Sequence, residues 1–430
     1  MRATINRRDL LLAGGLALLT GKRAFARGAP PAPAQQQTTP QARLLEALRA
    51  SRLPLTMSDG GVPAGRGWDW LVEKARDARF TLIGEEHGVA ETAQLSAALF
   101  KALRGSGYNR MAIELSPIIA QDIETAARRN GVRGILDFYS APSTWSPMYL
   151  RQEAEFIASV INAAPKNERV LWGLDREIFS DRYLISRLEP KVPRRARASF
   201  TRLKEASTNA GALQEQNQGP PFLFSSQEPA VVSAVRDAWP NPDRESDTIL
   251  RTLEESLAIN AVARTGTAWD SSERRAQWMR DALAERLRDE RGRGSPKVMM
   301  KFGYNHMIRG ANYVNIFDVG AMTDEVAALN GGRAFHIIVL PGPGSRQAVL
   351  GPGRSFVSVS SDEFDEFRAG DQRLTRVLSN ANATGHEVID FRPLRSLAMR
   401  GLESWNSDVV RTIHGYDAAV IWKGARASSS

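Results

Sequence analysis

The chain contains no cysteine among its 430 residues and only five histidines. Without cysteine, the protein cannot use a disulfide, a thiolate nucleophile or a thiolate metal site. Its stability must therefore come from its core, and its chemistry from residues such as His, Asp, Glu, Arg, Tyr or Ser. With 42% hydrophobic residues, the chain is long enough for one large domain with an insertion, or for two domains.

Several common enzyme motifs are missing as well. The sequence has no GxSxG elbow, no GxxxxGK[ST] phosphate loop, no HExxH pair and no GxGxxG after its first long apolar run. Residues 341–353, PGPGSRQAVLGPG, are rich in glycine but lack the Lys-Ser/Thr ending of a phosphate loop. We interpret them as a turn region that joins short strands.

The first 26 residues resemble a twin-arginine secretory signal. Arg7 and Arg8 precede an apolar stretch from Leu10 to Leu19, and a small-x-small cleavage site occupies residues 24–26. The alternative is a membrane anchor, but the apolar stretch is too short to span a bilayer. We predict cleavage before Arg27, export to the periplasm or the exterior, and no stable membrane anchor afterwards.

The charge pattern argues against a nucleic-acid partner. The net charge is +9, and residues 1–26 hold five basic groups and one acidic group, so the remaining chain carries about +5. The basic residues are scattered and stand beside acids, as in RDALAERLRDERGR, which is typical of a solvated helix face. We therefore expect a small-molecule substrate.

Alternating apolar strands and helical patterns predict an α/β fold with a mainly parallel sheet flanked by helices. Residues 27–42 are rich in Pro, Gln and Thr and predict a disordered linker, after which the α/β domain extends over residues 43–425. A long, mostly polar-amphipathic interval at residues 178–294 predicts a helical insertion. Strands are predicted at about residues 80–85, 109–115, 168–174, 296–302, 334–340 and 416–422.

Four of these strands end in acidic or imidazole side chains. They lead to Glu85 and His87, to Glu114, to Asp175 and Glu177, and to Asn305 and His306. A single acid after a strand is most often a helix cap. Four such ends together favour a functional site, because ligands of open α/β sheets bind beyond the carboxyl ends of the strands.

Glu85 and His87 are two residues apart, so on an extended chain their side chains point to the same side, whereas Glu86 points away. The carboxylate can then orient the imidazole and stabilise its protonated form, as a general base requires. We predict that His87 activates water and that Glu85 is its partner.

The insertion is expected to roof the site, since it leaves one strand's carboxyl end and returns before the strand that carries His306. Phe222 and Phe224, within QNQGPPFLFSSQ, are candidate substrate-binding residues; the alternative is that they only dock the insertion onto the body. His336 lies in an apolar strand and is interpreted as a core or interface residue. His386 and His414 are interpreted as strand-flanking or turn residues.

The segments LIGEEHGVAE, MAIELSP, WGLD, KFGYNHMIRG and GYDAAVIW, in this order, resemble the erythromycin esterase-like, ChaN-like and Tiki-like superfamily over most of residues 75–423. The resemblance implies an α/β sheet with a helical insertion and a cleft built around the motif Glu and His. In the esterase branch it implies macrolactone ester hydrolysis without a metal, with the motif His as base. Carried over, the positions are Glu85, His87, Glu91, Glu114, His306 and Arg275, for which Arg274 is the alternative match.

The motif GEEHG has one residue between Glu and His, whereas the esterases have two, and this spacing is closer to the ChaN-like and Tiki-like branches. Two alternatives therefore stay open. One is a haem- or ligand-binding periplasmic protein. The other is a metal-dependent hydrolase that uses Glu85, His87, Glu114 and His306 as ligands, because oxygen and imidazole donors suit Mn, Fe or Zn.

Our interpretation is an exported hydrolase that cleaves an ester or a related acyl bond without a cofactor. His306 and Arg275 are expected to hold the substrate carbonyl or its developing oxyanion, and Glu114 to handle protons or support its neighbours. The expected substrate-binding residues are Glu91, Asp175, Asn305, Phe222 and Phe224.

Overall fold

A computed structural model of the protein describes residues 39–429 apart from 142, 145, 217, 226–227, 291–293, 295, 343, 351–354, 361–384 and 401–406. The predicted secretory signal at residues 1–26 lies outside the described residues, as does most of the predicted linker at residues 27–42. The first helix begins at Pro40, within the last three residues of that predicted linker.

The described residues form a nine-stranded sheet and a separate two-stranded hairpin. The strands are β1 (Arg52–Met57), β2 (Pro63–Ala64), β3 (Phe80–Glu85), β4 (Tyr108–Ile113), β5 (Leu171–Gly173), β6 (Lys297–Gly303), β7 (Ala334–Pro341), β8 (Ser345–Leu350), β9 (Ser355–Ser360), β10 (His386–Asp390) and β11 (Ala418–Trp422). The order across the large sheet is β2-β1-β10-β11-β7-β3-β6-β4-β5.

The six strands from β11 to β5 in this order are parallel, whereas β1, β2 and β10 pair antiparallel at one side. All six predicted strands correspond to these parallel strands. Their continuous apolar runs are typical of strands buried on both faces. The antiparallel strands were not predicted, because β1 and β10 mix apolar with polar residues and are only partly buried, so they lack a continuous apolar run.

One sequence interpretation needs correction. Residues 341–353 were interpreted as a turn region, but strand β8 occupies the six residues Ser345–Leu350 of that stretch and pairs antiparallel with β9. The backbone N–H of Gln347 in β8 donates to the carbonyl of Gly88, so the hairpin is attached to the turn that follows β3.

Fourteen helices are present in the described part of the chain. They are α1 (Pro40–Ala50), α2 (Arg66–Arg76), α3 (Ala90–Leu103), α4 (Pro117–Ser140), α5 (Arg151–Asn162), α6 (Asp181–Leu188), α7 (Arg197–Glu215), α8 (Ala230–Asp237), α9 (Arg244–Thr265), α10 (Ala268–Asp289), α11 (Tyr304–Met307), α12 (Val319–Leu329), α13 (Arg395–Arg400) and α14 (Ser407–Gly415). Helices α6 to α10 lie between β5 and β6, where the insertion was predicted. No helix among the described residues combines the length and apolar character needed to cross a membrane.

The sheet separates two hydrophobic cores. Along β7, Ile337 and Val339 belong to the core that contains residues of α3 and α5, whereas Ile338 and Leu340 belong to the core that contains residues of α1 and α12. This alternation follows from the two-residue period of a strand. The fold is therefore α/β, with a mainly parallel sheet between helices and a helical insertion, as predicted.

The strand order places the site. Strand β3 lies between β7 and β6, and β6 lies between β3 and β4. Because these strands are parallel, the carboxyl ends of β3, β6, β4 and β5 are neighbours along one rim of the sheet. These are the four ends at which the sequence places its acids and imidazoles.

Candidate active site

The first strand end brings Glu85 and His87 together. Glu85 is the last residue of β3 and is buried, and its Oε1 lies 3.0 Å from His87 Nδ1. Glu86 turns the other way and forms an ion pair with Arg346 of β8. The side chains of Glu85 and Glu86 thus point to opposite sides, as predicted from the two-residue period of a strand.

A buried lysine lies beneath this pair. Lys301 of β6 donates to Glu85 Oε1 at 2.6 Å and to both carboxylate oxygens of Glu153 in α5, at 3.0 and 2.9 Å. The side chains of all three residues are at most 3% exposed. Burial opposes the charge of Glu85, but Lys301 and His87 hold the pKa of this carboxyl below its usual value. Lys301 and Glu153 thus fix the carboxylate that orients His87.

Glu114 joins the remaining groups of the site. Its Oε1 accepts a hydrogen bond from Arg275 Nη2 at 2.6 Å, and its Oε2 accepts one from the backbone N–H of Gly303 at 2.7 Å. The same carboxylate lies 3.4 Å from His87 Nε2 and 3.7 Å from His306 Nε2. Both imidazoles therefore face one carboxylate, and they come from the carboxyl ends of the neighbouring strands β3 and β6.

Arg275 is the arginine of the site. Its Nε and Nη2 donate to the two oxygens of the buried Asp175 at 3.0 and 2.5 Å, in addition to the bond to Glu114. Nη1 of Arg275 has no hydrogen-bond partner among the described residues. Arg274 points elsewhere and pairs with Glu255 of α9. The structure thus decides between the two arginines that the sequence left open.

His306 has a carboxylate partner of its own. Its Nδ1 lies 2.8 Å from Asp318 Oδ2, and Asp318 is buried at the start of α12, where its Oδ1 accepts from the backbone N–H of Val319 at 2.7 Å. A carboxylate at Nδ1 holds an imidazole in one orientation and stabilises its cation. Both histidines of the site therefore have the same arrangement, a fixed Nδ1 and an Nε2 directed to Glu114.

The charges within the cluster shift its pKa values. Burial lowers the pKa of His87, but the carboxylates of Glu114 and Glu85 outweigh burial and raise this pKa to about 10. Water screens part of the attraction, because the His87 side chain is 43% exposed. For His306, burial also opposes the charge, and Asp318 raises the pKa above its usual value. His87, His306 and Arg275 hold the pKa of Glu114 well below its usual range despite burial.

Gly303 leaves space between the two imidazoles. A Cβ atom at this position would lie 3.3 Å from His87 Nε2, 3.5 Å from Glu114 Oε2 and 3.8 Å from His306 Cδ2. The backbone conformation of Gly303, with φ −51° and ψ 138°, is open to any residue. The missing side chain therefore matters because it leaves space at the site, and not because the backbone adopts a conformation that only glycine allows.

We expect Gly303→Ala to lower kcat by about 10- to 100-fold, because a methyl group would occupy the space beside His87 Nε2 and displace the reacting groups. Gly105→Ala is the matched control, since a Cβ there meets nothing within 4 Å. Steady-state kinetics and thermal melts of both variants provide the measurement. A Gly303→Ala enzyme with wild-type kcat would show that this space is not used.

Three predicted substrate-binding residues are placed differently, which corrects the sequence interpretation. Phe222 is 1% exposed and packs in the hydrophobic core. Glu91 is buried, and it accepts from Arg426 Nε at 2.7 Å and from the Arg426 backbone N–H at 3.0 Å. Asn305 accepts from the backbone N–H of Tyr313 at 3.2 Å. Phe222 and Glu91 therefore support the fold, because their side chains already have partners within it, and the side-chain oxygen of Asn305 is used in the same way.

Phe224 and Asp175 stay beside the site. Phe224 is 37% exposed, and its ring lies 5.4 Å from the guanidinium carbon of Arg176, the residue after Asp175. Glu177, by contrast, accepts hydrogen bonds from the backbone N–H groups of residues 178, 179 and 180, so it has the capping role that a lone acid after a strand usually has.

Sequence reasoning missed Lys301, Glu153 and Asp318. A signal existed for two of them. Lys301 is the one charged residue inside the apolar run VMMKFG, and Asp318 precedes the helical pattern VGAMTDEVAAL as an N-cap residue would. Glu153 lies on a helix among ordinary surface-like residues, and nothing in its local sequence indicates a buried partner.

The donor set does not fit a divalent cation as it stands. Among the described residues, no group of three or more His, Asp and Glu side chains is arranged to hold a metal ion. The carboxylates of the site already face the cations of Lys301 and Arg275 at 2.6 Å. Both ring nitrogens of His87 face carboxylates, at 3.0 and 3.4 Å, so a bond from His87 to haem would require Glu114 to move away from Nε2.

A cavity of about 610 Å³ lies elsewhere, along the outer edge of β5. Its walls come from β5, from the beginning of α9 and from α10, and they include Trp172, Trp278 and Arg286. None of Glu85, His87, Glu114, Asp175, Arg275 and His306 lines it. The candidate site is therefore defined by its converging polar groups and not by this cavity.

Comparisons with solved structures support the fold. The chain is similar to a Bacillus cereus protein with 14% identity and a TM-score of 0.58, over 91% of this chain and 99% of that chain. A succinoglycan biosynthesis protein matches with 14% identity and a TM-score of 0.58, over 90% and 98% of the two chains. A mutant erythromycin esterase EreC in its open conformation matches with 14% identity and a TM-score of 0.55, over 84% and 94%.

At this level of identity the likeness shows a shared fold alone. The predicted resemblance to the erythromycin esterase-like proteins is confirmed at that level. No protein-family model and no curated protein sequence matches the chain.

Proposed function

We propose that the protein is an exported hydrolase that cleaves an ester or a related acyl bond, with His87 as the base that activates water. The observation that carries this proposal is the symmetric pair of imidazoles. His87 and His306 are each held at Nδ1 by a buried carboxylate, and each directs Nε2 to Glu114 beside the space at Gly303. Two oriented imidazoles that face the same space are suited to a reaction that moves protons to and from one group of reacting atoms.

The proposed reaction has two steps. Neutral His87 takes a proton from a water molecule, and the resulting hydroxide attacks the acyl carbon to form a tetrahedral oxyanion. Arg275, through its Nη1, and the protonated His306 stabilise this oxyanion. The intermediate then collapses, the bond to the leaving oxygen breaks, and the leaving alkoxide takes the proton from His87. The products are a carboxylic acid and an alcohol.

Glu114 is proposed to control the charge of this site. In the absence of substrate it stabilises the protonated form of both imidazoles. A substrate carbonyl that enters beside Gly303 would separate Glu114 from His87 Nε2, which weakens the attraction that raises the His87 pKa. Glu85 stays in place through Lys301 and continues to orient the ring.

The pH dependence of the reaction tests the base. Because the pKa of His87 is raised from 6.5 to about 10, most of the imidazole is protonated at neutral pH and only the small neutral fraction is a base. The value of kcat/KM for a p-nitrophenyl ester should therefore increase as the pH rises from 6.5 towards about 10. The His87→Gln variant, measured in parallel, corrects for spontaneous hydrolysis. An enzymatic rate that stays constant or falls across this range would argue against His87 as the base.

Export is part of the proposal and rests on Arg7, Arg8 and the small-x-small site at residues 24–26. N-terminal sequencing of the protein from a periplasmic fraction is expected to begin at or near Arg27. An intact N-terminus in the cytoplasmic fraction would contradict export and would leave the proposed chemistry unaffected.

A further inference from the structure

Arg176 is a cation beside the site that forms no ion pair with any of the described residues. It follows Asp175 at the rim of the sheet, and its backbone N–H donates to Asp175 Oδ1 at 2.8 Å. Nη1 of its guanidinium donates to the amide oxygen of Asn260 at 2.6 Å. Its Nε is buried and has no hydrogen-bond partner among the described residues.

The neighbouring cations differ from Arg176 in this respect. Arg275 contacts two carboxylates, those of Asp175 and Glu114, and Lys301 contacts those of Glu85 and Glu153. In the described part of the chain, Arg176 forms no ion pair. A half-buried guanidinium without a counter-ion is unfavourable, because burial removes water without supplying a compensating charge.

The same residue is held in a fixed position. The ring of Phe224 lies 5.4 Å from the guanidinium carbon, and Asn260, which accepts from Arg176, donates through its own Nδ2 to the carbonyl of Leu223 at 2.5 Å. Two segments of the insertion therefore orient the guanidinium. A fixed guanidinium presents paired N–H groups that match the oxygens of a carboxylate or a phosphate.

Arg176 lies next to the reacting groups in the fold, because the preceding residue, Asp175, binds Arg275 of the site. Burial and the Arg275 guanidinium lower the pKa of Arg176 to about 10, whereas Asp175 and Glu114 raise it. The group remains a cation at neutral pH, and it lies within electrostatic range of the carboxylate that both imidazoles face.

We propose that Arg176 binds an anionic group of the substrate, so that the acyl compounds this site hydrolyses carry a carboxylate or a phosphate beyond the scissile bond. This inference rests on the proposed hydrolase function for its chemistry, although anion binding at Arg176 is measurable by itself. The anion would supply the counter-ion that the guanidinium lacks, and Phe224 would contact the apolar part of the molecule next to it.

A matched pair of substrates tests the inference. The anionic substrate is the mono-p-nitrophenyl ester of succinic acid, and the neutral one is the methyl ester of the same compound. The measured quantity is the ratio of kcat/KM for the anionic over the neutral substrate. In Arg176→Gln this ratio should fall by about 10- to 100-fold, as expected for loss of a hydrogen bond between charged groups. Arg176→Lys should lose less, because it keeps the charge.

The control is Arg133→Gln, which removes an exposed arginine that pairs with Asp137 on α4, and it should leave the ratio unchanged. Thermal melts show whether each variant is folded. The inference would be overturned if Arg176→Gln had the same ratio as the wild type, even if kcat/KM fell equally for both substrates. The proposed hydrolase function would be unaffected by that result.

Calorimetry separates this inference from the proposed function. Should the wild type hydrolyse neither substrate, the affinity of the anionic compound for the wild type is compared with its affinity for folded Arg176→Gln. This comparison tests anion binding at Arg176. Binding that is at least about 10-fold weaker in the variant would support an anion site at Arg176. Equal binding by both proteins, or no binding by the wild type, would overturn it.

Discussion

Replacing His87 with alanine is expected to lower kcat for ester hydrolysis by about 10²- to 10⁴-fold, the contribution typical of a positioned general base. Glu85→Gln should cause a comparable loss, because Glu85 holds Nδ1 of the imidazole at 3.0 Å. The fold should survive the loss of His87. Its side chain is 43% exposed, Glu85 keeps Lys301 as a partner, and Glu114 keeps Arg275 and the backbone N–H of Gly303.

The matched control is His414→Ala. His414 lies in α14 and forms no ion pair with the described groups of the site, so it should be dispensable for kcat. Kinetics, thermal melts and metal analysis of each purified variant provide the measurement. Full activity of the wild type after exhaustive chelation, together with an inactive but folded His87→Ala, supports the metal-free reaction. A stoichiometric metal, or a haem Soret band, that disappears in His87→Ala would instead promote one of the alternative functions.

Lys301→Met is expected to destabilise the protein by about 3–5 kcal/mol, as is usual when one partner of a buried ion pair is removed. Lys301 is 1% exposed and is bonded to both Glu85 and Glu153, so its loss leaves two buried carboxylates close together. Urea unfolding followed by fluorescence or circular dichroism measures the change.

The double variant Lys301→Met with Glu153→Met makes the test specific. It removes the cation and the carboxylate of Glu153, for which the described residues supply no other hydrogen-bond partner, and it leaves Glu85 with His87. We expect this double variant to be more stable than Lys301→Met alone, because it contains one buried uncompensated charge fewer. A double variant that is less stable than the single one would show that Glu153 is held by contacts other than the lysine.

The sequence by itself determined where the candidate site lies. The apolar run from Phe80 to Ile83 and the three later runs indicate parallel strands, and parallel strands end at one rim. The position of Glu85, Glu114, Asp175 and His306 along that rim follows from this rule alone. The two-residue period of a strand also determined that Glu85 and His87 share a side and that Glu86 does not. These conclusions need only local patterns, which a single sequence contains.

Only the tertiary structure decided which groups are partners. Lys301 meets Glu85 and Glu153 from positions 216 and 148 residues away, and no local pattern encodes contacts of that separation. The contrast between Phe222 and Phe224 has the same origin, since two apolar residues in one short segment become core or surface according to what packs on them.

The charge state of the site is a tertiary property as well. From sequence, His87 is a histidine with its ordinary pKa; in the fold, Glu114 and Glu85 raise that pKa. Arg176 is likewise a cation, and that it forms no ion pair with the described residues becomes visible only when its surroundings are known. The two effects have one physical cause, because burial and the distance to other charges set the free energy of an ionised group. Burial and these distances are fixed only when the separate strand ends and the insertion come together.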